Sequence, residues 1–481
     1  MKKIFFIKLL LFSLLGFSQP PTRFFTKFGG NGVDIGYSAK PIFGKKYIVT
    51  GSTSSYGAGN TDVYLIKVDS MGFSIWQKTF GGFNNDVGKS VIQLPDSGFV
   101  IAGFTNSFGN GGYDVYLIRT DKNGNLIWQK TFGGTDWDFG SDVVLTPDGD
   151  IAVVGNTSSF GHGKKDGLFL KYDFLGNLVA QKFIGGVENE ELRSIIQTSD
   201  FYLATVGYTE SKGEINGDCY FLKLDLSGDT IFTKTFGAAG KDYANDLMQK
   251  SNDDYFICGA KTYTSNPKTQ SLEYTITSTG NFLWEGSLYD GQGADEEFFS
   301  TCQVGYHPTY NACVRNRPIS GFKMQESIFI GTPGGYYYKI SENGGIEDEF
   351  CYSVEPTSDG GYITVGVTNS FGSLNGDIYF LKQDTTLINN SSVVGLKKNA
   401  NNVIKPVLRY LGNNELEILM ENSLVIKQYK LTSVNGDILC ERKENTTDLK
   451  LNLNDYPATL LILEIHLENG CFFYYKIQNF R

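Results

Sequence analysis

At 481 residues the chain is long for one domain, and its 41% apolar content is enough to bury a sizeable core. Glycine (57), phenylalanine (36) and tyrosine (28) are abundant while proline (12) is scarce, which favours many short strands and tight turns over long helices. A formal net charge of −10, spread along the chain, excludes the basic patch that a nucleic-acid partner requires.

The chain begins MKKIFFIKLLLFSLLGFSQP. Lys2 and Lys3 precede an apolar run from Ile4 to Phe17, broken only by Lys8 and Ser13, and small or polar residues follow. This order predicts a secretory signal peptide over 1–18, cleaved near Ser18 or Gln19. The run is short for a membrane span and no cysteine stands at the cleavage site. No span is expected after cleavage.

The segment from 19 to 386 is built from an internal repeat. TFGG occurs at Thr79–Gly82 and Thr131–Gly134, with variants at Lys27–Gly30, Phe183–Gly186 and Thr235–Ala238. The second residues of these strings, Phe28, Phe80, Phe132, Ile184 and Phe236, keep a step of 52 residues. The same step runs through Gly51, Gly103, Gly155, Gly207 and Gly259, and through a column holding Trp76, Trp128 and Trp284. The sixth copy, near Leu288 to Ile340, is degenerate, and the seventh recovers at DGGYITVGVTNSFGSLNGDIYFLKQD. Each copy divides into four short β-branched or aromatic runs, such as Ser74–Phe80, Ser90–Leu94, Phe99–Thr105 and Asp114–Thr120, separated by PDSG and DKNG turns. Four strands per unit and no helix-length period predict an all-β chain, a seven-bladed β-propeller. The N-terminal run PTRFFTKFGG matches the strand IWQKTFGG, so the two ends of the repeat region should meet. Whether this strand completes the last blade or starts the first stays open here.

Alternating strand direction places two longer loops of each copy on one face and the short PDSG and DKNG turns on the other. The long loops, exemplified by GGFNNDVGK (Gly81–Lys89) and TNSFGNGGYD (Thr105–Asp114), carry aromatic tips. Tyr56, Phe108, Phe160 and Phe371, with Trp137, are the candidate ligand contacts, or else packing between blades. An acidic column on the same face holds Asp34, Asp86, Asp138, Glu190 and Asp242. These carboxylates either accept backbone N–H bonds at a turn or form a ring for a cation, with Ca²⁺ the candidate, although no loop has the dense oxygen-ligand run of a Ca²⁺ site.

Chemistry-bearing motifs are missing. His162, His307 and His466 lie in different repeats or domains and form no metal-ligand spacing, and there is no CxxC, GxSxG or phosphate loop. No catalytic residue and no metal ligand is assigned, and no cofactor is expected. Of the seven cysteines, Cys219 and Cys258 occupy strand positions of small core residues, while Cys302 with Cys313 and Cys440 with Cys471 are spaced for local bridges.

The run YLIKVDSMGFSIW (Tyr64–Trp76) and its copies resemble the quinoprotein-type propeller repeat. The D-x-x-G…W pattern is also similar to the Asp-box turn of sialidases. Both resemblances imply fold and not activity. The cofactor-ligand features of the first are missing, and the arginine cluster of the second would have to come from few residues (Arg23, Arg119, Arg193, Arg315, Arg317). As a whole, the blades look like repeats of secreted bacterial surface proteins.

From 387 to 402 the sequence is polar and Asn/Ser-rich, which predicts a linker. Residues 403–481 change pattern, with strands Glu415–Met420, Ile426–Val434, Leu449–Asn454, Leu460–Leu467 and Cys471–Gln478, and predict a small β-sandwich. Their order resembles the C-terminal sorting domain of type IX secretion cargo. It departs where Val403-Ile404-Lys405-Pro406 replaces the family's Tyr-Pro-Asn-Pro, and in lacking a glycine before the penultimate strand. That resemblance implies an export machinery as partner of this domain and a secreted or surface-attached protein. The leading expectation is a non-catalytic propeller that binds an extracellular protein or glycan. The rivals are a glycan-active enzyme with carboxylates on the long-loop face, or a scaffold subunit of the cell envelope.

Overall fold

The computed structural model describes residues 24–383 and 407–478, apart from 214–215, 238–239, 264–265, 289–296, 304–310, 319–323, 332–336, 344–346, 371–374, 412–414, 420–424, 434–437, 457–459 and 468–471. The expected signal peptide, the linker over 387–402 and Phe371 lie outside the described residues. The chain divides into two compact units, Met1–Asn390 and Ser391–Arg481.

The first unit opens with strands β1 (Phe24–Phe28), β2 (Asp34–Ile42), β3 (Lys46–Thr53), β4 (Asp62–Val68) and β5 (Ser74–Phe80). Strands β2 to β5 pair in sequence order as an antiparallel meander. Five further four-stranded sheets follow, with first strands Asp86–Gln93, Asp138–Leu145, Glu190–Gln197, Asp242–Gln249 and Glu297–Gln303. The degenerate sixth copy thus forms a sheet like its neighbours. The last sheet takes Glu349–Pro356, Tyr362–Thr368 and Asp377–Gln383, and its fourth strand is β1. Phe24 stands opposite Lys382 and Phe28 opposite Ile378, so the N-terminal strand completes the last sheet. Each first strand packs against the first strand of the next sheet, and that of the last packs against β2. The unit is a propeller-like repeat structure of four-stranded antiparallel sheets.

Among the residues whose burial is described, the two middle strands of the sheets are buried along almost their whole length, because neighbouring sheets cover both faces. In the second sheet Asp114–Thr120 is buried at every position, whereas the fourth strand, Leu126–Phe132, alternates exposed and half-buried residues. This explains why the repeats read as continuous apolar runs rather than as alternating strands. The cores lie between sheets: Ile48, Val63 and Leu65 of the first pack with Val91, Phe99, Ile101 and Tyr116 of the second.

The turn motifs have local roles. Asp121 Oδ1 accepts the backbone N–H groups of Asn123 (2.8 Å) and Asn125 (2.9 Å) and closes the DKNG turn. Gly124 in that turn has φ +76°, and a Cβ there would meet the Trp76 ring at 2.9 Å. The tryptophan column therefore packs under the turn of the following sheet. In the other short hairpin of the same edge, buried cations hold the aspartates of the PDSG-type turns: Arg119 with Asp96 (2.6 Å), Lys223 with Asp200 (2.8 Å), and Lys382 with Asp359.

Cys219, Cys258, Cys302 and Cys351 are buried, and neither they nor Cys440 are joined in a disulfide. The two local bridges considered from spacing are therefore not formed. Cys302 stands in register with Ala312 and not with Cys313.

The second unit has two antiparallel sheets. One holds Val407–Leu411, Glu415–Leu419 and Asp448–Asn452; the other holds Ile438–Thr446, Ile426–Ser433, Leu460–Leu467 and Phe472–Gln478, in that order. Leu416, Ile418, Leu449 and Leu451 from the first share one core with Tyr429, Leu431, Leu463 and Ile465 from the second. No helix among the described residues is long and apolar enough to cross a membrane.

Candidate functional site

The seven first strands surround a cavity of about 690 Å³ in the middle of the first unit. Each of these strands carries a β-bulge at the same place. The register shifts between Gly36 and Ser38, Gly88 and Ser90, Gly140 and Asp142, Leu192 and Ser194, Ala244 and Asp246, Phe298 and Ser300, and Cys351 and Ser353. A bulge leaves one residue out of the ladder and re-aims its side chain. Here the extra residues are Tyr37, Lys89, Ser141, Arg193, Asn245, Phe299 and Tyr352, and all seven line the cavity.

This tier is divided by chemistry. Phe299, Tyr352 and Tyr37 form an aromatic arc, with ring centroids 5.5 Å apart for Phe299 and Tyr352 and 5.2 Å for Tyr352 and Tyr37. Lys89, Ser141, Arg193 and Asn245 form a polar arc. The Lys89 ammonium lies 3.7 Å from the centroid of the Tyr37 ring and has no carboxylate partner among the described residues. Burial, and secondarily the Arg193 charge, push Lys89 down to about 8. Arg193 is neutralised by Glu191 (2.9 Å) and donates to Asn245 Oδ1 (2.7 Å). Glu191 also pairs with Lys165 (2.9 Å); burial opposes its charge, but Arg193 and Lys165 hold it down at about 2. Glu297 accepts from Asn245 Nδ2 at 2.6 Å, and burial raises its pKa above the ordinary carboxylate value.

The residue after each bulge is serine or aspartate, and these side chains tie adjacent sheets together. The Ser90 hydroxyl donates to Asp142 (2.6 Å), Ser194 to Asp246 (2.7 Å), and Ser300 to the other oxygen of Asp246 (2.9 Å). Backbone N–H groups of Ile195 and Thr301 reach across to Asp142 (2.8 Å) and Asp246 (2.9 Å). Burial raises Asp246 to about 6 and Asp142 adds to this, while Thr301 N–H, Ser194 and Lys40 pull it back. Lys40 and Glu355 form an ion pair joining β2 to the first strand of the last sheet. Burial works against the Lys40 charge, but Glu355, Asp142 and Asp246 outweigh it and raise its pKa.

The aromatic candidates from the sequence lie apart from the cavity. Tyr56, Phe108 and Phe160 are part-exposed, at 46, 37 and 38%. Each packs on a tyrosine or phenylalanine of its own surroundings: Tyr56 on Tyr64, Phe108 on Tyr116, Phe160 on Phe132 and Phe183. Tyr56 also donates to the Gly29 carbonyl (2.8 Å). Trp137 is 58% exposed and joins Tyr113 and Phe139 edge-to-face.

The acidic column opens the first strands and does not lie in the preceding loops. Asp34, Asp86, Asp138, Glu190 and Asp242 are fully buried. Asp86 accepts from Thr105 and Ser107 (2.7 Å) hydroxyls and from Gly82 N–H (2.8 Å), and Asp34 and Asp138 repeat the set. Glu190 takes Thr209 (2.8 Å), Ser211 N–H (2.9 Å) and Gly186 N–H (2.7 Å). A Cβ on Gly81 would meet Asp62 Oδ1 at 2.3 Å and Asp86 Oδ2 at 2.4 Å, which accounts for the first glycine of TFGG. No group of three or more His, Cys, Asp or Glu placed to hold a metal occurs among the described residues. His307 lies outside them, and Arg315 and Arg317 belong to the strand Asn311–Pro318.

Sequence reasoning missed the bulge tier. Tyr37, Lys89, Ser141, Arg193 and Asn245 keep the 52-residue step, but they form a varied column between Gly36, Gly88, Gly140, Leu192 and Ala244 before and a Ser or Asp column after.

No family model matches the chain. Regulatory protein FlaEY of Caulobacter vibrioides is 25% identical over 253 residues, covering 45% of this chain. The chain spans about a quarter of the length of that curated relative, 25%. Among solved structures, PorZ of Porphyromonas gingivalis, described as an essential bacterial surface component of the type-IX secretion system, matches with a TM-score of 0.42 and 11% identity, over 94% of this chain and 60% of PorZ. A puromycin hydrolase variant matches with a TM-score of 0.45 and 10% identity, over 81% of this chain and 59% of that one. These are likenesses of fold alone. The chain is a β-propeller-like repeat protein.

Proposed function

We propose that the first unit is a seven-bladed β-propeller carried by an exported, surface-exposed chain, and that it binds an extracellular protein or glycan without transforming it. The second unit, read as a sorting-type β-sandwich, addresses the chain to the export machinery. The observation that carries the binding reading is the tier of bulge residues around the central cavity. Its side chains are aromatic, cationic and hydroxylic, and the scaffold bonds of the sheets run through the serine–aspartate tier beside it. A volume of about 690 Å³ falls within the range of roughly 300–1,000 Å³ common to small-ligand sites.

A second reading, a glycan-active enzyme, draws on Lys89 at about 8 and Asp246 at about 6 in the same cavity. Asp246 already accepts from Ser194, Ser300, Thr301 N–H and Leu247 N–H, which commits it to the scaffold and favours binding over catalysis. The test is a glycan array and an envelope-fraction pull-down with the secreted chain, each repeated with Tyr352→Ala. Binding that the substitution weakens supports the reading. Turnover of a bound glycan would move the assignment to an enzyme. Absence of binding by a folded sample in both assays would leave the envelope-scaffold reading.

A further inference from the structure

Lys89 is a cation in a confined cavity without a counter-ion. Its ammonium rests on the Tyr37 face and has no carboxylate or hydrogen-bond acceptor among the described residues. Lys89 is half-buried, and a charge partly withdrawn from water in this way is costly unless something pairs with it. The wall's own carboxylates are engaged elsewhere. Asp142 and Asp246 hold the serine tier, Glu191 pairs with Arg193 and Lys165, Glu355 pairs with Lys40, and Glu297 accepts from Asn245. Between Lys89 and Arg193, one sheet from each, stands Ser141, whose hydroxyl also makes no hydrogen bond among the described residues. Arg193 is neutralised by Glu191 and Lys40 by Glu355, so among the described residues Lys89 is the one cation of the cavity wall without an ion pair.

The remaining wall is the aromatic arc of Phe299, Tyr352 and Tyr37. Aromatic faces accept the C–H surface of a ring, and the Ser141 hydroxyl and the remaining acceptor positions of the Glu297 carboxylate match a ligand that carries several hydroxyls. We infer that the central cavity binds a carboxylate-bearing saccharide of the uronic-acid type, its carboxylate on Lys89 beside Ser141 and Arg193 and its sugar ring on the aromatic arc. This rests on the binding reading above and narrows it to one ligand class and one set of residues. The bond made is a charge-assisted hydrogen bond from the Lys89 ammonium to the carboxylate.

The experiment is calorimetric titration of the full secreted chain with oligogalacturonate, with the neutral oligogalactan of equal length, and with benzoate. The expected result is saturable binding of oligogalacturonate at least tenfold tighter than of either other probe. Lys89→Met should lose at least tenfold in affinity and Lys89→Arg should keep most of it, both with unchanged circular dichroism. Tyr352→Ala should weaken oligogalacturonate as well. Equal binding of the neutral oligomer, or binding indifferent to Lys89→Met, overturns the carboxylate assignment while leaving glycan binding in place. Tight binding of benzoate overturns the saccharide part. If no probe binds a folded chain that still binds a defined surface protein in a Tyr352-dependent way, the inference fails and the binding reading survives. If the chain binds neither, both fail.

Discussion

Replacing Phe24 by alanine tests whether the N-terminal strand closes the last sheet. Phe24 is 6% exposed and its ring lies 5.2 Å from Phe380 and 5.7 Å from Tyr47. It also fills the space up to Gly72, where a Cβ would meet the ring at 2.7 Å. These neighbours belong to middle strands of two sheets and cannot collapse far into the void. A buried Phe→Ala change costs about 3–5 kcal/mol, and a rigid aromatic surround puts it toward the upper part of that range. For a cooperative unit of ~360 residues at ~2 cal/mol/K each, this lowers Tm by about 4–7 °C. Phe25, next in the same strand, is 41% exposed and supplies the control, because Phe25→Ala should stay within about 1 kcal/mol. The assay is thermal unfolding followed by tryptophan fluorescence and by calorimetry. If Phe24→Ala is no worse than Phe25→Ala, β1 does not close the last sheet in solution and the pairing with Asp377–Gln383 is wrong.

Asp246→Asn should alter the pH dependence of stability. The carboxyl is raised from 3.8 to about 6, so the native state binds more protons in that window and stability falls as pH rises through it. The asparagine variant should lack this fall, read by urea unfolding at pH 4 to 6.5. Lys89 has the opposite sign: lowered from 10.5 to about 8, it makes the unfolded chain bind more protons in between, with only Arg193 and the Tyr37 face beside it. Wild type should therefore gain on Lys89→Met between those values, by up to about 3 kcal/mol, in the same assay. Gly81→Ala should destabilise by more than about 2 kcal/mol, since its methyl would press on two buried carboxylates, and a neutral result in thermal unfolding would contradict the packing described. Adding 5 mM Ca²⁺ or a chelator should leave Tm within about 1 °C, because the oxygens of Asp34, Asp86 and Asp138 are already taken by hydroxyl and N–H donors. A clear rise with Ca²⁺ would restore the cation reading.

The repeat was legible because its constraints are local and recur. The D-x-x-G turns need an aspartate to bond N–H groups and a glycine at positive φ, and TFGG needs a residue without Cβ between two carboxylates. The pairing partner of β1 was not legible, since it depends on a contact with residues near 380 and nothing in FFTKF distinguishes the two ends of the ring. The cavity tier was hidden for a different reason. Tyr37, Lys89 and Arg193 follow no common chemistry, and a bulge that turns them inward shows in the sequence only as a mixed column. The aromatic loop tips stand out in the sequence as exposed rings, yet Phe108 and Phe160 lie on Tyr116 and Phe183. In the second unit, Ile438–Thr446 escaped because its ERKEN run reads as loop; it is the edge of its sheet, where charge is tolerated.

The serine–aspartate tier acts as a hoop. From Ser90 through Asp142, Ser194, Asp246 and Ser300 to the backbone of Val354, each link crosses from one sheet to the next, and the Lys40–Glu355 pair continues it to β2. Tension on any sheet is carried around the circumference, so the bore cannot widen like an iris by tilting its members one at a time. Between β2 and Asp86–Gln93 the Lys89 ammonium rests on the Tyr37 face, and just beyond β2 the Phe43 N–H donates to Gln93 Oε1 (3.0 Å). A ligand bound as proposed would meet the opening at its resting width, with the contact between Lys89 and Tyr37 the clasp within its reach.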